Sequence, residues 1–223
     1  MKSLLKISIL VFLLPFCLKA QNIEGGFAMG LMTYQGDLVK GAFAKEEFNF
    51  FFGALIRAHL TENISIKGTF YSGRLTGDDA NFEDRASRAL SFRTDILEFT
   101  LQGEWNILGT GRYNNRGFAD KQRFTPYLFT GIGVAFADPE TFQGDMPDPE
   151  GTDLDTVHFV LPAGAGVKVG MTEDIVVGLE IGGRASFSDH LDGVSTLANP
   201  NANDWYWTGN ITLTYVFGSS EFF

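Results

Sequence analysis

DILEFTLQGEW, residues 95–105, alternates without a break. Leu97, Phe99, Leu101, Gly103 and Trp105 fall on one face, and Glu98, Thr100, Gln102 and Glu104 on the other. Side chains of an extended strand point to opposite sides in turn, so period two places one apolar and one polar environment on either side of a sheet. DWYWTGNITLTYVF, residues 204–217, repeats the pattern: Trp205, Trp207, Ile211, Leu213, Tyr215 and Phe217 oppose Tyr206, Thr208, Asn210, Thr212 and Thr214.

Six further segments of similar length lie between runs of turn residues: IEGGFAMGLMTY, FNFFFGALIRAHL, ISIKGTFYSGRL, YLFTGIGVAFA, VHFVLPAGAGVKV and IVVGLEIGGRASF. The chain therefore reads as eight strands and no helix-period segment. Arg57, Lys67, Lys168, Glu180 and Arg184 share the threonine face, opposite Phe50, Phe52, Ile56, Ile64, Ile66, Phe70, Phe159, Leu161, Val167, Val177, Leu179 and Ile181.

A soluble sandwich turns its apolar face inward and wets the polar one, whereas an outer-membrane barrel turns the apolar face to lipid and encloses the charges. Connections decide between them. Those near residues 61–63 and 170–174 are tight, while those at 35–47, 76–90, 138–155 and 188–203 are long and polar, as where short periplasmic turns alternate with long external loops. The link 107–123 departs from this by being long and basic. Aromatic residues gather near strand ends (Trp105, Trp205, Trp207, Tyr215, Phe217), where an interfacial girdle puts them. Glycines inside strands (Gly164, Gly166, Gly178, Gly182, Gly183) suit tight curvature. The expected fold is all-β, an eight-stranded antiparallel transmembrane barrel over residues 21–223, in the outer membrane of a Gram-negative bacterium and in contact with its lipid.

Residues 1–20 read as a secretory signal peptide: Lys2 and Lys6, an apolar stretch from Ile7 to Leu18, then Ala20, with cleavage expected before Gln21. The stretch is shorter than the roughly 20 residues of a spanning helix. Lipid attachment at Cys17 is disfavoured by Pro15 and Phe16 before it. Cleavage removes the only cysteine and three of 17 basic residues, leaving 14 basic against 27 acidic, a net of −13. Nucleic acid repels such a chain, and no disulfide or thiolate chemistry is open to it.

Eight strands enclose a lumen about wide enough for side chains to fill, which predicts a plugged barrel and not a solute pore. Arg57, Lys67, Lys168 and Arg184 set against Glu98, Glu104 and Glu180 predict an ion-pair network across it. No thiol pair, metal-binding helix, nucleophile elbow, phosphate loop or calcium loop occurs, and no cofactor or metal is expected. His59, His158 and His190 lie on different segments. Asp189, His190 and Asp192, with Ser188, keep a small claim to hydrolytic chemistry, but read first as turn residues of a loop joining the last two strands. The seven carboxylates between 138 and 155 read as a solvated external loop, with loose Ca²⁺ binding as the alternative.

YQGDL (34–38), FRTDILEFTLQGEWNIL (92–108), TPYLFTGIGVAFA (125–137), RASFSDHLDGVS (184–195) and NDWYWTGNITLTYVF (203–217) together resemble the PorG family of small outer-membrane barrels of the type IX secretion system. The likeness spans nearly the whole chain after the signal peptide. In the loop it departs from the family pattern at His190 and Gly193. The resemblance implies a non-enzymatic component that contacts the periplasmic ring proteins of the secretion machine. A separate hint is the basic link, in which Arg112, Arg116, Lys121 and Arg123 face only Asp120. Arg112, Tyr113, Arg116 and Lys121 are therefore candidates for the docking surface, against an ordinary basic turn meeting lipid head groups. A free-standing barrel with an anchoring, adhesive or ligand-binding role is the alternative.

Overall fold

The structure, a computed structural model, describes residues 22–35, 48–78, 90–110, 124–143, 146–147, 157–172, 174–186 and 205–217; for 22, 78, 90, 138–143 and 146–147 it describes the backbone alone. Nine strands follow one another: β1 (Asn22–Gln35), β2 (Asn49–His59), β3 (Ile64–Asp78), β4 (Leu90–Asn106), β5 (Phe124–Gln143), β6 (Met146–Pro147), β7 (Val157–Gly170), β8 (Ile175–Ser186) and β9 (Trp205–Phe217). The two-residue β6 pairs only with the end of β5. The other eight are the staves of one sheet in which every pairing is antiparallel, β4 pairs with β5 and β1 with β9, so the sheet closes on itself. Closure leaves no sheet edge for lipid to strip of hydrogen bonds.

Two connections show why one end of the barrel is tight. In HLTENIS, the amides of Leu60 and Thr61 donate to the Ile64 carbonyl, and Thr61 Oγ1 accepts from the amides of Asn63 and Ile64. GMTEDIV repeats the device: Met171 and Thr172 donate to the Ile175 carbonyl, and Thr172 Oγ1 accepts from Asp174 and Ile175. A threonine hydroxyl that captures the amides two and three residues on replaces a longer loop. At this same end β1 begins, β9 finishes, and the link 107–123 leaves β4 and enters β5. Its first residues fold back on the β2–β3 turn. Gly109 takes a positive φ of 78°, and the Thr110 amide donates to the Glu62 carbonyl.

The outer wall is apolar. Phe50 is 84 % exposed, Phe27 73 %, Phe159 69 % and Ile132 65 %. Leaving one such side chain in water forgoes roughly 1.5–3 kcal/mol, and the wall repeats that loss on every stave. Only lipid removes it, so the chain is an outer-membrane barrel. Trp105, Tyr215 and Phe217 stand on the outer wall near the tight-turn end and Trp205 near the other. Trp207 differs from the girdle expectation in being half-buried, its indole N–H donating to Gln35 Oε1 at 2.8 Å.

Several strands run beyond the segments marked by alternation. β4 starts at Leu90, not Asp95, and β5 continues from Ala137 to Gln143 into what reads as acidic loop. The paired ladder from Leu90↔Gln143 to Asp95↔Asp138 accounts for this, because outside the lipid a ribbon needs backbone hydrogen bonds but no apolar face. The outward pair Arg74–Asp95 (2.6 Å) marks where β3 and β4 leave the apolar belt.

Candidate functional site: the lumen network

Inward positions of the tight-turn half carry three acids and three bases, all buried. Glu104 sits at the centre. Its Oε2 accepts from Arg57 Nε at 2.8 Å and from Lys168 Nζ at 2.6 Å, and its Oε1 lies 3.2 Å from Lys67 Nζ. Glu180 Oε1 accepts from Lys67 Nζ (2.6 Å) and the Tyr127 hydroxyl, with Arg57 Nη2 at 3.8 Å. Glu24 Oε2 accepts from Arg57 Nη1 and from Thr214 Oγ1, the latter at 3.2 Å. Lys168 also donates to Asn106 Oδ1 at 2.8 Å and stands 4.2 Å from the Tyr127 ring centroid. Lys67 stands 4.7 Å from the Phe129 centroid.

A second group lies nearer mid-barrel. Arg184 Nε is 3.4 Å from Glu98 Oε2, which also accepts from the Tyr206 hydroxyl. Arg184 Nη1 donates to Thr208 Oγ1 and, at 3.2 Å, to the Gly182 carbonyl. Across both groups, Glu24, Glu98, Glu104 and Glu180 balance Arg57, Lys67, Lys168 and Arg184. Desolvating one ion costs several kcal/mol, and only a complete set of partners returns it. Neutrality within the wall is thus a condition of burying any of the eight.

His59 joins two more groups to this set. Its Nε2 lies 2.7 Å from Glu24 Oε1 and its Nδ1 2.7 Å from Ser65 Oγ, while Asn106 Nδ2 donates to the same Ser65 oxygen at 2.9 Å. With the serine oxygen accepting from Asn106, a neutral imidazole satisfies the chain when Ser65 donates to Nδ1 and Nε2 donates to Glu24. Carboxylate, imidazole and hydroxyl thus stand in the order of a hydrolase relay. Ser65 is fully buried, however, and its oxygen is engaged on both sides. What this chain does is hold the start of β1 to β2, β3 and β4.

The far half of the lumen is different. Met32, Tyr34, Phe51, Leu75, Phe92, Ile96, Ala135 and Val160 point inward and form a buried apolar cluster, with Tyr34 and Phe92 edge to face at 4.9 Å. The polar-inside pattern read from the sequence is therefore mixed in this half, where Thr94, His158 and Ser186 still point inward among the apolar side chains. Ile96 shares the parity of Glu98 yet joins the apolar cluster. Inward glycines make room for inward rings: a Cβ on Gly166 would lie 2.6 Å from Tyr127 Cζ, and one on Gly164 or Gly182 2.7 Å from Phe129 Cζ.

Of the residues singled out from sequence, the fold brings Arg57, Lys67, Glu104, Lys168 and Glu180 into one group and Glu98 with Arg184 into another. Arg112, Tyr113, Arg116 and Lys121, and Asp189, His190 and Asp192, lie outside the described residues, as do residues 1–20, which the sequence reads as a signal peptide. Sequence reading missed Glu24, His59, Ser65, Asn106 and Tyr127. Glu24 was accessible from parity, since Ile23, Phe27, Met29 and Leu31 mark the outer face of β1. Glycines on both faces of that strand blur the alternation. Among the described residues no group of three or more His, Cys, Asp or Glu is placed to hold a metal ion.

The family model described as a domain of unknown function (DUF6089) matches residues 2–223, so the chain belongs to that family. No curated protein matches the sequence. Among solved structures, the N-terminal β-barrel domain of Pseudomonas aeruginosa OprF is similar at 13% identity and a TM-score of 0.47, over 88% of this chain and 98% of that one. OprG of the same organism is similar at 12% identity and 0.44, over 88% and 95%. The outer membrane enzyme PagL is similar at 15% identity and 0.40, over 88% and 99%.

Proposed function

We propose that this member of the DUF6089 family is a non-enzymatic outer-membrane component of the type IX protein secretion machinery that docks on the periplasmic ring complex. The lumen supports a role exerted through surfaces: among the described residues its charged groups are engaged with one another, and an apolar cluster lies beyond them. The observation that carries the reading is positional. The link with Arg112, Tyr113, Arg116 and Lys121 leaves β4 after Asn106 and returns at Phe124, the end where β1 begins and β9 finishes. In a barrel of this kind that end faces the periplasm. A basic segment there, on a chain otherwise strongly acidic, fits an acidic partner surface.

The test is affinity purification of the tagged barrel from native outer membranes, alone and with Arg112→Glu/Arg116→Glu. Ring proteins should co-purify with the unaltered chain and fall at least tenfold with the charge reversal, at equal barrel abundance. Undiminished recovery removes the docking surface. Absence of ring proteins from both samples removes the secretion role and favours a free-standing barrel.

A further inference from the structure

One seam of the wall is weaker than the others. The β5–β7 ladder runs from Phe124↔Val169 to Thr130↔Ala163, stops, and resumes at Gly133↔Val160. The other stave-to-stave ladders are continuous over their described lengths. In the gap the register sets Gly131 opposite Pro162 and Ile132 opposite Leu161. Pro162 has no N–H, so it cannot donate across to β5. Proline is otherwise confined to sheet edges, and in a bilayer core no water replaces the lost donor.

The surroundings concentrate the weakness. On the inner face, Gly131 and Gly133 on β5 and Gly164 on β7 present no side chains to clamp the two strands together. The same β5 glycines press against β4: a Cβ on Gly131 would lie 2.2 Å from the Leu101 carbonyl oxygen, and one on Gly133 2.5 Å from that of Phe99. β5 is thereby held to β4 and β7 to β8, each by an unbroken ladder, and the interruption falls between two intact half-sheets. Outside it are the lipid-facing Ile132, Leu161 and Phe159; just inside, Ala135 and Val160 belong to the apolar lumen cluster.

We propose that the β5–β7 seam at Gly131–Ile132 and Leu161–Pro162 is a lateral opening through which a lipid hydrocarbon chain reaches the apolar half of the lumen. The proposal is independent of the secretion role, since it concerns the membrane-embedded wall and not the periplasmic end. An apolar guest fits because the outer side of the seam faces lipid and Ala135 and Val160 of the apolar cluster lie on its inner side. The mutually paired Arg184 and Glu98, register partners of Pro162 and Ala135, border that entry, and the other six lumen charges lie toward the tight-turn end.

The test uses the full barrel in phospholipid bilayers, with Cys17→Ser as background and Ala135→Cys as an inward reporter. Pyrene maleimide, which partitions into bilayers, should label position 135, with the modified peptide identified by mass. A disulfide formed by Ile132→Cys and Leu161→Cys, which face each other across the seam, should slow that labelling at least tenfold. No labelling of Ala135→Cys, or equal labelling with the disulfide formed, overturns the opening. A second measurement needs no cysteine. Amide exchange at Gly131–Gly133 should be at least tenfold faster than at Thr100–Gln102, their register partners on β4, and Pro162→Ala should slow it. Equal rates, or no effect of Pro162→Ala, overturn the proposal as well.

Discussion

Glu24 on the first strand accepts a hydrogen bond from Thr214 on the last at 3.2 Å, while the same carboxylate oxygen accepts from Arg57 on β2. One side chain therefore spans the joint at which the sheet becomes a barrel. Glu24→Gln keeps the shape and removes the charge, leaving Arg57 with less compensation and His59 without its carboxylate. Breaking one side of a buried pair costs about 3–5 kcal/mol. Urea unfolding in bilayers should show a loss of that order, with a lowered temperature for the folded-to-unfolded shift in gel mobility. A loss under about 1 kcal/mol would mean the backbone ladder alone secures closure.

Glu104 and Glu98 allow the two lumen groups to be ranked. Glu104 lies against Arg57, Lys67 and Lys168, whereas Glu98 lies near Arg184 and a tyrosine hydroxyl. Glu104→Gln removes the carboxylate that three buried cations share and should cost more stability than Glu98→Gln. Adding Lys168→Met to Glu104→Gln removes one of those cations and should recover part of the loss. A double-mutant cycle reads the coupling, expected at roughly 1–3 kcal/mol. Additive losses would show that the two residues are merely neighbours.

What could be read from the sequence divides along the lipid boundary. Within the belt, the opposition of Leu97, Phe99 and Leu101 to Glu98, Thr100 and Gln102 is imposed by two solvents, lipid outside and a packed lumen inside, and it fixed the staves. Beyond the belt that opposition lapses, so Leu90–Thr94 and the end of β5 carried no alternation even though their backbones pair. FNFFFG hid its parity for a different reason. Phe50 and Phe52 face lipid while Phe51 is buried inside, where it joins the apolar cluster of the far lumen. The network's charged members were legible as types on a face. Their partners His59, Ser65 and Asn106 were not, since closure alone brings β1, β2, β3 and β4 to one point.

Gly182 and Phe129 face each other on the inner wall, with a Cβ at position 182 falling 2.7 Å from Phe129 Cζ and 3.0 Å from the Ala163 carbonyl oxygen. Gly182→Ala should destabilise the barrel by roughly 1–3 kcal/mol, the usual cost of overpacking. Phe129→Leu removes the ring and should relieve most of that loss in the double variant. If Phe129→Leu gives no relief, the backbone contact and not the ring sets the requirement for glycine.

Leu101 and Asp95 both project from the outer wall of β4, six residues apart, and the difference between their surroundings tests the membrane reading itself. Leu101 lies opposite Gly68 and Ile132, within the belt, whereas Asp95 is paired with Arg74 at its margin. An arginine on the lipid face near the bilayer midplane costs roughly 2–4 kcal/mol, falling to about 0–1 kcal/mol near the interface. Leu101→Arg should therefore lower the free energy of folding into liposomes by the larger amount, and Asp95→Arg by little beyond the loss of its exposed pair. Were this face in water, Leu101→Arg would be an ordinary surface change within about 0.5 kcal/mol. Urea titration of the two variants in vesicles separates the cases, because only lipid makes the cost depend on height along a single strand.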